Sequence, residues 1–458
     1  MTQSLVMGDN SRSAEPLSAE LLLALSPLAG LPLDELEKQR RLLIFPHRLG
    51  MHRDGIERQC LFELNGGRLQ TGNVLGYVGI NGAQLFIHSR FDQSRAQYLM
   101  HYLLQRVMGI TILDLPVGTA PDRQWDLLVY MFPLCLQRAW SQGLFRAYQR
   151  RDYNDNALRG AINATRHLQC NQPFAGRVAY STRERTTDNA LMQLVRHTIE
   201  HIAHGAMHAK LLGAAESVRA AVAAVRMATP AYCRQDRGRV IAANLRPVRH
   251  PYYTEYTALQ TLCLQILQHE KINVGQDDRR VHGMVFDGAW LWEEYLATIL
   301  REYGYRHPEN KTGRNRLYLY QNYHSPIYPD FIRDGVVLDA KYKRLDQNGI
   351  SRDDRFQMIS YLHVTGARHG YFAFPTQDGD ARPTREGILN GHGGEVGTLP
   401  FAIPATSSDF AQFGAAMTAS ERLFAGTCQA LGAPAKSCPQ GMVNKTCGSP
   451  IAQEFANY

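Results

Sequence analysis

Hydrophobic positions along the chain follow two different periods. Between residues 40 and 94, short apolar runs such as 76–80 and 84–88 are separated by glycine-rich turns, which is typical of β-strands. From 95 to 146 and from 188 to 226, apolar residues return every three or four positions, which predicts helices. This mixture of β-like and helical segments predicts an α/β protein.

The same patterns divide the chain into five parts. A small β-rich N-terminal domain with additional helices is followed by a helical middle region and a C-terminal α/β domain, and polar ends without periodicity are expected to be disordered. The expected boundaries are a disordered start at 1–18, the N-terminal domain at 19–138, the middle region at 139–275, the C-terminal domain at 276–406, and a helix with a disordered tail at 407–458.

A β-hairpin is predicted at residues 328–343. Asp334 and Gly335 form a two-residue sequence typical of a type I′ turn, and β-branched and aromatic residues flank it. This turn fixes the register, so that Asp330 faces Asp339 across the two strands. Lys341, two residues after Asp339, then lies on the same face of the hairpin.

The predicted Asp330–Asp339 pair indicates a metal site. Two carboxylates directly opposite each other repel, and a cation between them removes that cost. Mg²⁺ prefers oxygen ligands, and it can lower the pKa of a bound water and stabilise charge on a phosphoryl group. Lys341 is placed to orient that water or to contact the phosphate. The pattern therefore predicts a metal-dependent phosphodiesterase; the alternative is a surface hairpin with solvated aspartates.

Asp330 followed by Asp339-Ala340-Lys341 resembles the signature of the PD-(D/E)xK nuclease superfamily. Gln357 and Tyr361, four residues apart on a predicted helix, are similar to the Gln and Tyr that follow the site in many of these nucleases. The resemblance implies a further acidic residue on the helix before the hairpin. Glu293 matches that position best and Glu294 is the alternative, while an ordinary exposed helix face would explain both.

Composition and charge agree with a soluble DNA-binding protein. The chain is 44% hydrophobic and 20% charged, with a net charge of +8 and a pI of about 9.0, which suits a polyanionic partner. Arginines alternate with aromatic residues between 139 and 185, as on surfaces that contact phosphates and bases. We expect DNA contacts from Arg150, Arg151, Arg159 and Lys343; the alternative is a connector with solvated or salt-bridged arginines.

A second metal hypothesis comes from a run of histidines. Four of them follow each other at helical spacing, and a pair four residues apart can ligate zinc. However, the H-E-x-x-H motif of zinc hydrolases is absent, and a polar exposed helix face is the simpler interpretation. The four are His197, His201, His204 and His208.

Cysteine usage and hydropathy indicate a cytoplasmic protein. The eight cysteines include no C-x-x-C pair, which disfavours a zinc ribbon, and their scattered positions are typical of reduced thiols. The N-terminal residues 1–16 lack the apolar core of a secretory signal. The most apolar run, 21–33, is too short and too interrupted to cross a membrane, so we expect no membrane association.

The order of these parts resembles the McrC family, the nuclease subunits of McrBC modification-dependent restriction systems, over residues 40–405. Its most specific matches are Trp-Glu-Glu-Tyr at 292–295 and Asp-Ala-Lys-Tyr-Lys at 339–343, and weaker ones lie at 76–91, 143–162 and 187–192. The resemblance implies a C-terminal restriction-endonuclease-like domain. It also implies Mg²⁺ or Mn²⁺ held by Asp330, Asp339, Glu293 and the Ala340 carbonyl.

The resemblance further implies a partner. McrC-like proteins engage a hexameric AAA+ GTPase, McrB, through their N-terminal region, stimulate its hydrolysis and cut methylcytosine-containing double-stranded DNA. The present sequence contains no G-x-x-x-x-G-K-[ST] motif, so GTP is expected to be bound by the partner. Two alternatives remain: a stand-alone nuclease of the same superfamily in DNA repair, and a non-catalytic adaptor of an AAA+ ring.

Overall fold

A computed structural model describes residues 3–39, 41–46, 56–93, 98–109, 120–205, 208–213, 215–273, 281–308, 317–322, 325–391, 393–405 and 407–431. Its strands are β1 (Gln3–Gly8), β2 (Arg41–Phe45), β3 (Phe62–Asn65), β4 (Arg68–Thr71), β5 (Val74–Ile80), β6 (Ala83–His88), β7 (Ala147–Asp155), β8 (Ala161–Ile162), β9 (Val178–Thr186), β10 (His282–Asp287), β11 (Leu317–Tyr318), β12 (Pro326–Ile327), β13 (Phe331–Arg333), β14 (Val336–Ala340), β15 (His369–Thr376), β16 (Thr384–Ile388) and β17 (Glu395–Ala402). Its helices are α1 (Ala19–Leu25), α2 (Leu33–Gln39), α3 (Tyr98–Met108), α4 (Ala120–Ser141), α5 (Ala164–Cys170), α6 (Ala190–His204), α7 (Glu216–Ala228), α8 (Arg237–Ala243), α9 (Tyr256–Asn273), α10 (Gly288–Leu300), α11 (Leu345–Asn348), α12 (Arg352–Thr365) and α13 (Phe410–Ala430).

The N-terminal sheet has the order β1-β6-β5-β10-β2. Its first strand corrects the expectation that residues 1–18 are disordered, because Gln3–Gly8 pairs in parallel with β6. That strand is short, and its pairing partner lies about 80 positions later in the sequence, so local pattern alone does not reveal it. β10 lies between β5 and β2, antiparallel to the first and parallel to the second. The expected boundary at residue 276 therefore assigns one strand of this sheet to the wrong domain.

The middle region is only partly helical, which corrects a second expectation. Helices α6 and α7 correspond to the segment 188–226 that was expected to be helical, with a 3₁₀ turn at His208–Gly213 between them. Helix α9 packs against both α4 and α6. However, the basic segment forms a three-stranded antiparallel sheet, β7-β9-β8, with α5 against β9. The alternation of charged and aromatic residues in this segment is the period of a strand with one exposed face.

The C-terminal sheet has the order β13-β14-β15-β17-β16 and lies between helices. On one face, Val337 and Phe372 pack with Met358 and Leu362 of α12. On the other face, Leu338 belongs to the large core that also contains α10, α13 and the N-terminal sheet. The predicted helices at 288–303 and 353–366 and the strand at 370–374 correspond to α10, α12 and β15, whereas the strand expected at 316–321 is limited to Leu317–Tyr318.

The hairpin has the register that the sequence predicts. Phe331 pairs with Leu338, Ile332 with Val337 and Arg333 with Val336. Its turn is different from the expected type I′, which needs a positive φ at both central residues. Gly335 has a φ of 75°, but Asp334 is not among the described non-glycine residues with positive φ.

Two further expectations concern the end of the chain and its hydropathy. The predicted disordered tail from residue 433 onwards lies outside the described residues. In the described part of the chain, no helix is long and apolar enough to cross a membrane.

Candidate active site

Asp330 and Asp339 lie together at the open end of the hairpin. Asp339 is in β14 and is only 2% exposed. Asp330 comes directly before β13, and its Oδ2 accepts a hydrogen bond of 2.7 Å from the backbone N–H of Ala340. The hairpin therefore brings the two predicted carboxylates to one place and fixes Asp330 through the neighbour of Asp339.

The electrostatics of this pair are unfavourable for two charges. Burial raises the pKa of Asp330 well above its usual range, and the nearby charges of Glu293 and Asp339 raise it further. Burial also raises the pKa of Asp339, and Lys341 offsets only part of that effect. Buried acids with raised pKa values and like-charged neighbours occur mainly where a protein uses their chemistry.

Glu293 reaches the site from α10, as the sequence analysis expected. This helix begins directly after β10, with Asp287 as its N-cap, so the N-terminal sheet determines where Glu293 lies. Glu293 acts electrostatically on both aspartates. The side chain of its neighbour Glu294, the alternative residue, is 29% exposed, whereas that of Glu293 is 13% exposed.

His307 is a site neighbour that the sequence analysis missed. Its Nδ1 lies 2.8 Å from the backbone oxygen of Asp330, and its Nε2 lies 3.7 Å from Glu293 Oε1 and 3.9 Å from Glu294 Oε1. Its ring stacks on Phe331 with centroids 5.0 Å apart. Burial disfavours the imidazolium, but the two glutamates outweigh burial and raise the pKa of His307. Nothing in the local sequence marks this residue, because its role depends on a bridge between Arg306 and Ile332.

Lys341 is held by three acceptors. Its Nζ lies 2.7 Å from Asp339 Oδ2 and 3.1 Å from Asp354 Oδ1, and it donates a hydrogen bond of 2.9 Å to Gln357 Oε1. Burial alone would lower the pKa of Lys341, but the charges of Asp339 and Asp354 raise it. Lys341 is therefore a fixed cation within the carboxylate cluster.

Asp354 is the second residue that the sequence analysis missed. Ser351 caps α12, and its hydroxyl donates a hydrogen bond of 2.6 Å to Asp354 Oδ2 while accepting one from the Asp354 N–H. Although Asp354 is buried, the Ser351 hydroxyl and Lys341 lower its pKa, so it remains charged. A Ser followed three residues later by Asp is a signal for a helix start that could have located this contact.

Gln357 and Tyr361 connect Lys341 to the hairpin. Gln357 Nε2 donates a hydrogen bond of 2.6 Å to the Tyr361 hydroxyl, which donates one of 2.9 Å to the backbone oxygen of Tyr328. Both residues are thus near the site, as the sequence analysis expected. These hydrogen bonds link Lys341, through Gln357 and Tyr361, to the backbone of Tyr328, two residues before Asp330.

The donor set suits a hard divalent cation. Asp339 Oδ2 is buried and makes no hydrogen bond of regular geometry, although Lys341 Nζ lies 2.7 Å away. Carboxylate oxygens are the ligands that Mg²⁺ and Mn²⁺ prefer. In the present side-chain arrangement, the described residues contain no group of three or more His, Cys, Asp or Glu side chains that could hold a metal ion.

The residues expected to contact DNA lie in two different parts of the fold. Arg150 and Arg151 lie on β7, and Arg159 lies in the loop that follows it. Each has an acidic partner: Arg150 lies 3.3 Å from Asp152, Arg151 lies 3.7 Å from Glu184, and Arg159 lies 3.3 Å from Asp155. Lys343 is close to the site, 3.1 Å from Asp354, and its side chain is 55% exposed.

The histidine run does not form the single exposed face that the simpler interpretation expected. His197 is buried against Tyr232, with ring centroids 4.7 Å apart, and burial lowers its pKa. His204 Nδ1 lies 2.5 Å from the backbone oxygen of Glu200. His208 lies edge-on to Tyr130, with centroids 6.1 Å apart. These three histidines therefore have separate surroundings.

The fold and the site define a mixed α/β protein in which two aspartates, a glutamate and a lysine form a cluster around the buried Asp339. The family described as McrBC 5-methylcytosine restriction system component matches residues 69–375 of this chain. The chain therefore belongs to the McrBC family. No curated protein matches the sequence.

Two solved structures are similar. The first is a refined half-complex from a tetradecameric assembly of Thermococcus gammatolerans McrB AAA+ hexamers with bound McrC, with 15% identity over 93% of this chain and 99% of that chain and a TM-score of 0.50. The second is the cryo-EM structure of the Thermococcus gammatolerans McrBC complex, with 16% identity over 67% of this chain and 90% of that chain and a TM-score of 0.32. At these identities, the first likeness supports the fold alone.

Proposed function

We propose that this protein is the metal-dependent DNA endonuclease subunit of a McrBC-like restriction system. The observation that carries the proposal is the carboxylate pair of Asp339, which is buried, and Asp330, which is half-buried, with Lys341 held beside it. Like-charged carboxylates that are held together away from solvent are costly, and groups with pKa values raised in this way cluster at functional sites. In this proposal residues 276–406, with β10 shared with the N-terminal sheet, have the PD-(D/E)xK nuclease architecture.

The carboxylates and the lysine have different roles in this proposal. Asp330, Asp339 and Glu293, with the Ala340 carbonyl, would hold Mg²⁺ or Mn²⁺. When bound, the metal would supply an acidic water and stabilise charge on the phosphoryl oxygens. Lys341 orients the attacking water or stabilises the charge that develops on the phosphate.

Two further residues keep Lys341 in place during the reaction. Gln357 and Asp354 both contact its ammonium group, at 2.9 Å and 3.1 Å. Tyr361 fixes Gln357 through their 2.6 Å hydrogen bond. Because these contacts come from α12, the ammonium group does not depend on Asp339 alone for its position. Groups that orient catalytic side chains in this way commonly affect rate by about 10–100-fold.

We also propose that the chain acts with a hexameric AAA+ GTPase and stimulates it, through residues 19–138. The family membership supports this proposal, as does the fold shared with a chain of an assembly that contains McrB AAA+ hexamers with bound McrC. The sequence contains no phosphate-binding G-x-x-x-x-G-K-[ST] motif, so GTP binding is assigned to the partner. The proposed substrate is methylcytosine-containing duplex DNA, and the proposed location is the cytoplasm.

The DNA-contacting role of Arg150, Arg151, Arg159 and Lys343 stays a prediction. Each of them is at least 49% exposed at its side chain, which suits phosphate contact. Each also has an acidic neighbour that competes with phosphate. We therefore expect a smaller contribution from each than from an unpaired arginine.

The test is cleavage of methylated and unmethylated plasmid by the full chain in Mg²⁺, with and without the AAA+ protein encoded beside it and GTP. Cutting that needs partner, GTP and methylation supports the proposal. Cutting that needs neither partner nor GTP would instead indicate a stand-alone nuclease. Stimulated GTP hydrolysis without any cutting would indicate a non-catalytic adaptor.

A further inference from the structure

A basic pocket lies beside the hairpin, next to the candidate active site. It has a volume of about 310 Å³, and its lining includes Arg301, Arg306, His307, Tyr305 and Ile332. Arg301 follows the last turn of α10, and Arg306 lies in the segment that runs alongside β13. None of the described residues that line the pocket is acidic.

The two arginines of this pocket have no acidic partner among the described residues. Both are exposed, and neither makes an ion pair or a side-chain hydrogen bond with another described residue. Nearby Arg333, by contrast, donates to the backbone oxygens of Gln429 and Leu431 and lies over the Tyr305 ring, 4.6 Å from its centroid. Two unpaired guanidinium groups that share one concave site repel each other, and an anion between them would remove that repulsion.

The pocket and the active site share a wall. Arg306 exchanges both backbone hydrogen bonds with Ile332, at 2.8 and 2.9 Å. The next residue, His307, lines the pocket and also contacts the Asp330 backbone oxygen at 2.8 Å. Ile332 is two residues from Asp330, which corresponds to about 7 Å along a strand. This separation is too large for the scissile phosphate to occupy both sites, but it suits a neighbouring phosphate on the same strand.

We propose that the Arg301/Arg306 pocket binds a backbone phosphodiester of the DNA strand, next to the phosphate that is cut. This inference rests on the proposed nuclease function. Arginine binds phosphate through paired N–H groups, and such contacts set the position of a nucleic acid without reading its sequence. The pocket would thereby hold the strand in register with Asp330, Asp339 and Lys341.

The test uses the double variant Arg301→Gln/Arg306→Gln in the full chain, together with its AAA+ partner and guanine nucleotide. Asp339→Asn serves as the background for binding measurements, so that the DNA stays intact. We expect the slope of log affinity against log salt concentration to decrease in magnitude by about 1, the value for one lost phosphate contact. At the lowest salt concentration we expect affinity for closed circular DNA to fall about 10-fold.

The matched control is Arg368→Gln. Arg368 is exposed, precedes β15 at the turn end of the sheet and lines a different cavity. It should leave both the slope and the affinity within about twofold of the parent protein. Equal loss in Arg368→Gln and in the double variant would mean that only overall charge matters, and it would overturn the assignment of the pocket.

Two more arms separate the possible ligands and the two proposals. Closed circular DNA has no terminal phosphate, so an effect limited to 5′-phosphorylated linear DNA would overturn the inference in favour of an end-binding site. With Asp339 intact, the double variant should also cut more slowly. Normal binding and cutting by the double variant would refute the pocket while leaving the nuclease proposal in place. A parent protein that never cuts, but whose salt slope depends on the arginine pair, would refute the nuclease proposal alone.

Discussion

Replacing Asp354 with Asn tests whether its contact with Lys341, which the sequence did not predict, contributes to catalysis. The change removes the negative charge that faces Lys341 at 3.1 Å and Lys343 at 3.1 Å, and the side chain keeps an oxygen for Ser351. Lys341 is 14% exposed, so its hydrogen-bonded ion pair contributes about 1.5–3 kcal/mol. Lys343 is 55% exposed, and its pair contributes less than about 1 kcal/mol.

Because the amide still accepts one hydrogen bond, we expect Asp354→Asn to lower the free energy of unfolding by about 1–3 kcal/mol. We expect the cleavage rate to fall by about 10–100-fold, since Lys341 loses one of the groups that orient it. Urea unfolding of the full chain and single-turnover cleavage with the AAA+ partner measure the two effects.

Asp353→Asn is the matched control. Asp353 lies in the same first turn of α12, is exposed, and makes no contact with Lys341, so it shares only the helix-dipole contribution of about 0.3–1 kcal/mol. Asp353→Asn should cut at the parent rate. If Asp354→Asn loses stability but also cuts at the parent rate, Asp354 only stabilises the start of the helix through Ser351, and the reasoning about Lys341 is wrong.

Three further predictions follow from the site and its support. The raised pKa values of Asp330 and Asp339 mean that the folded chain keeps protons which the unfolded chain releases near pH 4, so without metal the free energy of unfolding should fall as pH rises above about 4. Asp330→Asn should abolish cutting and make the free energy of unfolding less dependent on pH. Tm values measured from pH 4 to 8 test this, and parallel curves for the variant and the parent protein would contradict it. Glu421→Ala should lower the free energy of unfolding in urea by about 3–5 kcal/mol, because buried Glu421 accepts hydrogen bonds from Tyr102 and Tyr295, both at 2.9 Å. A decrease of less than about 1 kcal/mol would show that these hydrogen bonds do not stabilise the core. His307→Phe keeps a ring against Phe331 but loses the contact to the Asp330 backbone, so cutting should fall about 10-fold while the Tm changes little; unchanged cutting would refute a positioning role for His307.

The hairpin and its carboxylates could be predicted because their information is local. The Asp334-Gly335 pair sets a two-residue loop, and the register then places Asp330 near Asp339 whatever the rest of the chain does. The spacing of Gln357 and Tyr361 is local in the same way, because a helix alone brings them to one face.

The remaining features depend on distant parts of the chain. β1 is a strand only because β6 offers it an edge, and β10 joins the N-terminal sheet although it precedes the C-terminal domain directly in sequence. His307 reaches Asp330 through a bridge to Ile332, which no local pattern predicts. The three-stranded sheet of the middle region, where the sequence predicts helices, is hard to predict for a different reason: few apolar residues mark the buried side of β7.

The most direct test of the central claim is DNA cleavage by Asp339→Asn and Lys341→Gln, measured beside the parent protein with the AAA+ partner, Mg²⁺ and GTP. GTP hydrolysis by the partner in the same reactions shows whether each variant still folds and assembles. We predict that both variants lose cleavage by at least about 1,000-fold while stimulated GTP hydrolysis remains near the parent level. Cleavage at the parent rate by either assembled variant would contradict the assignment of the active site.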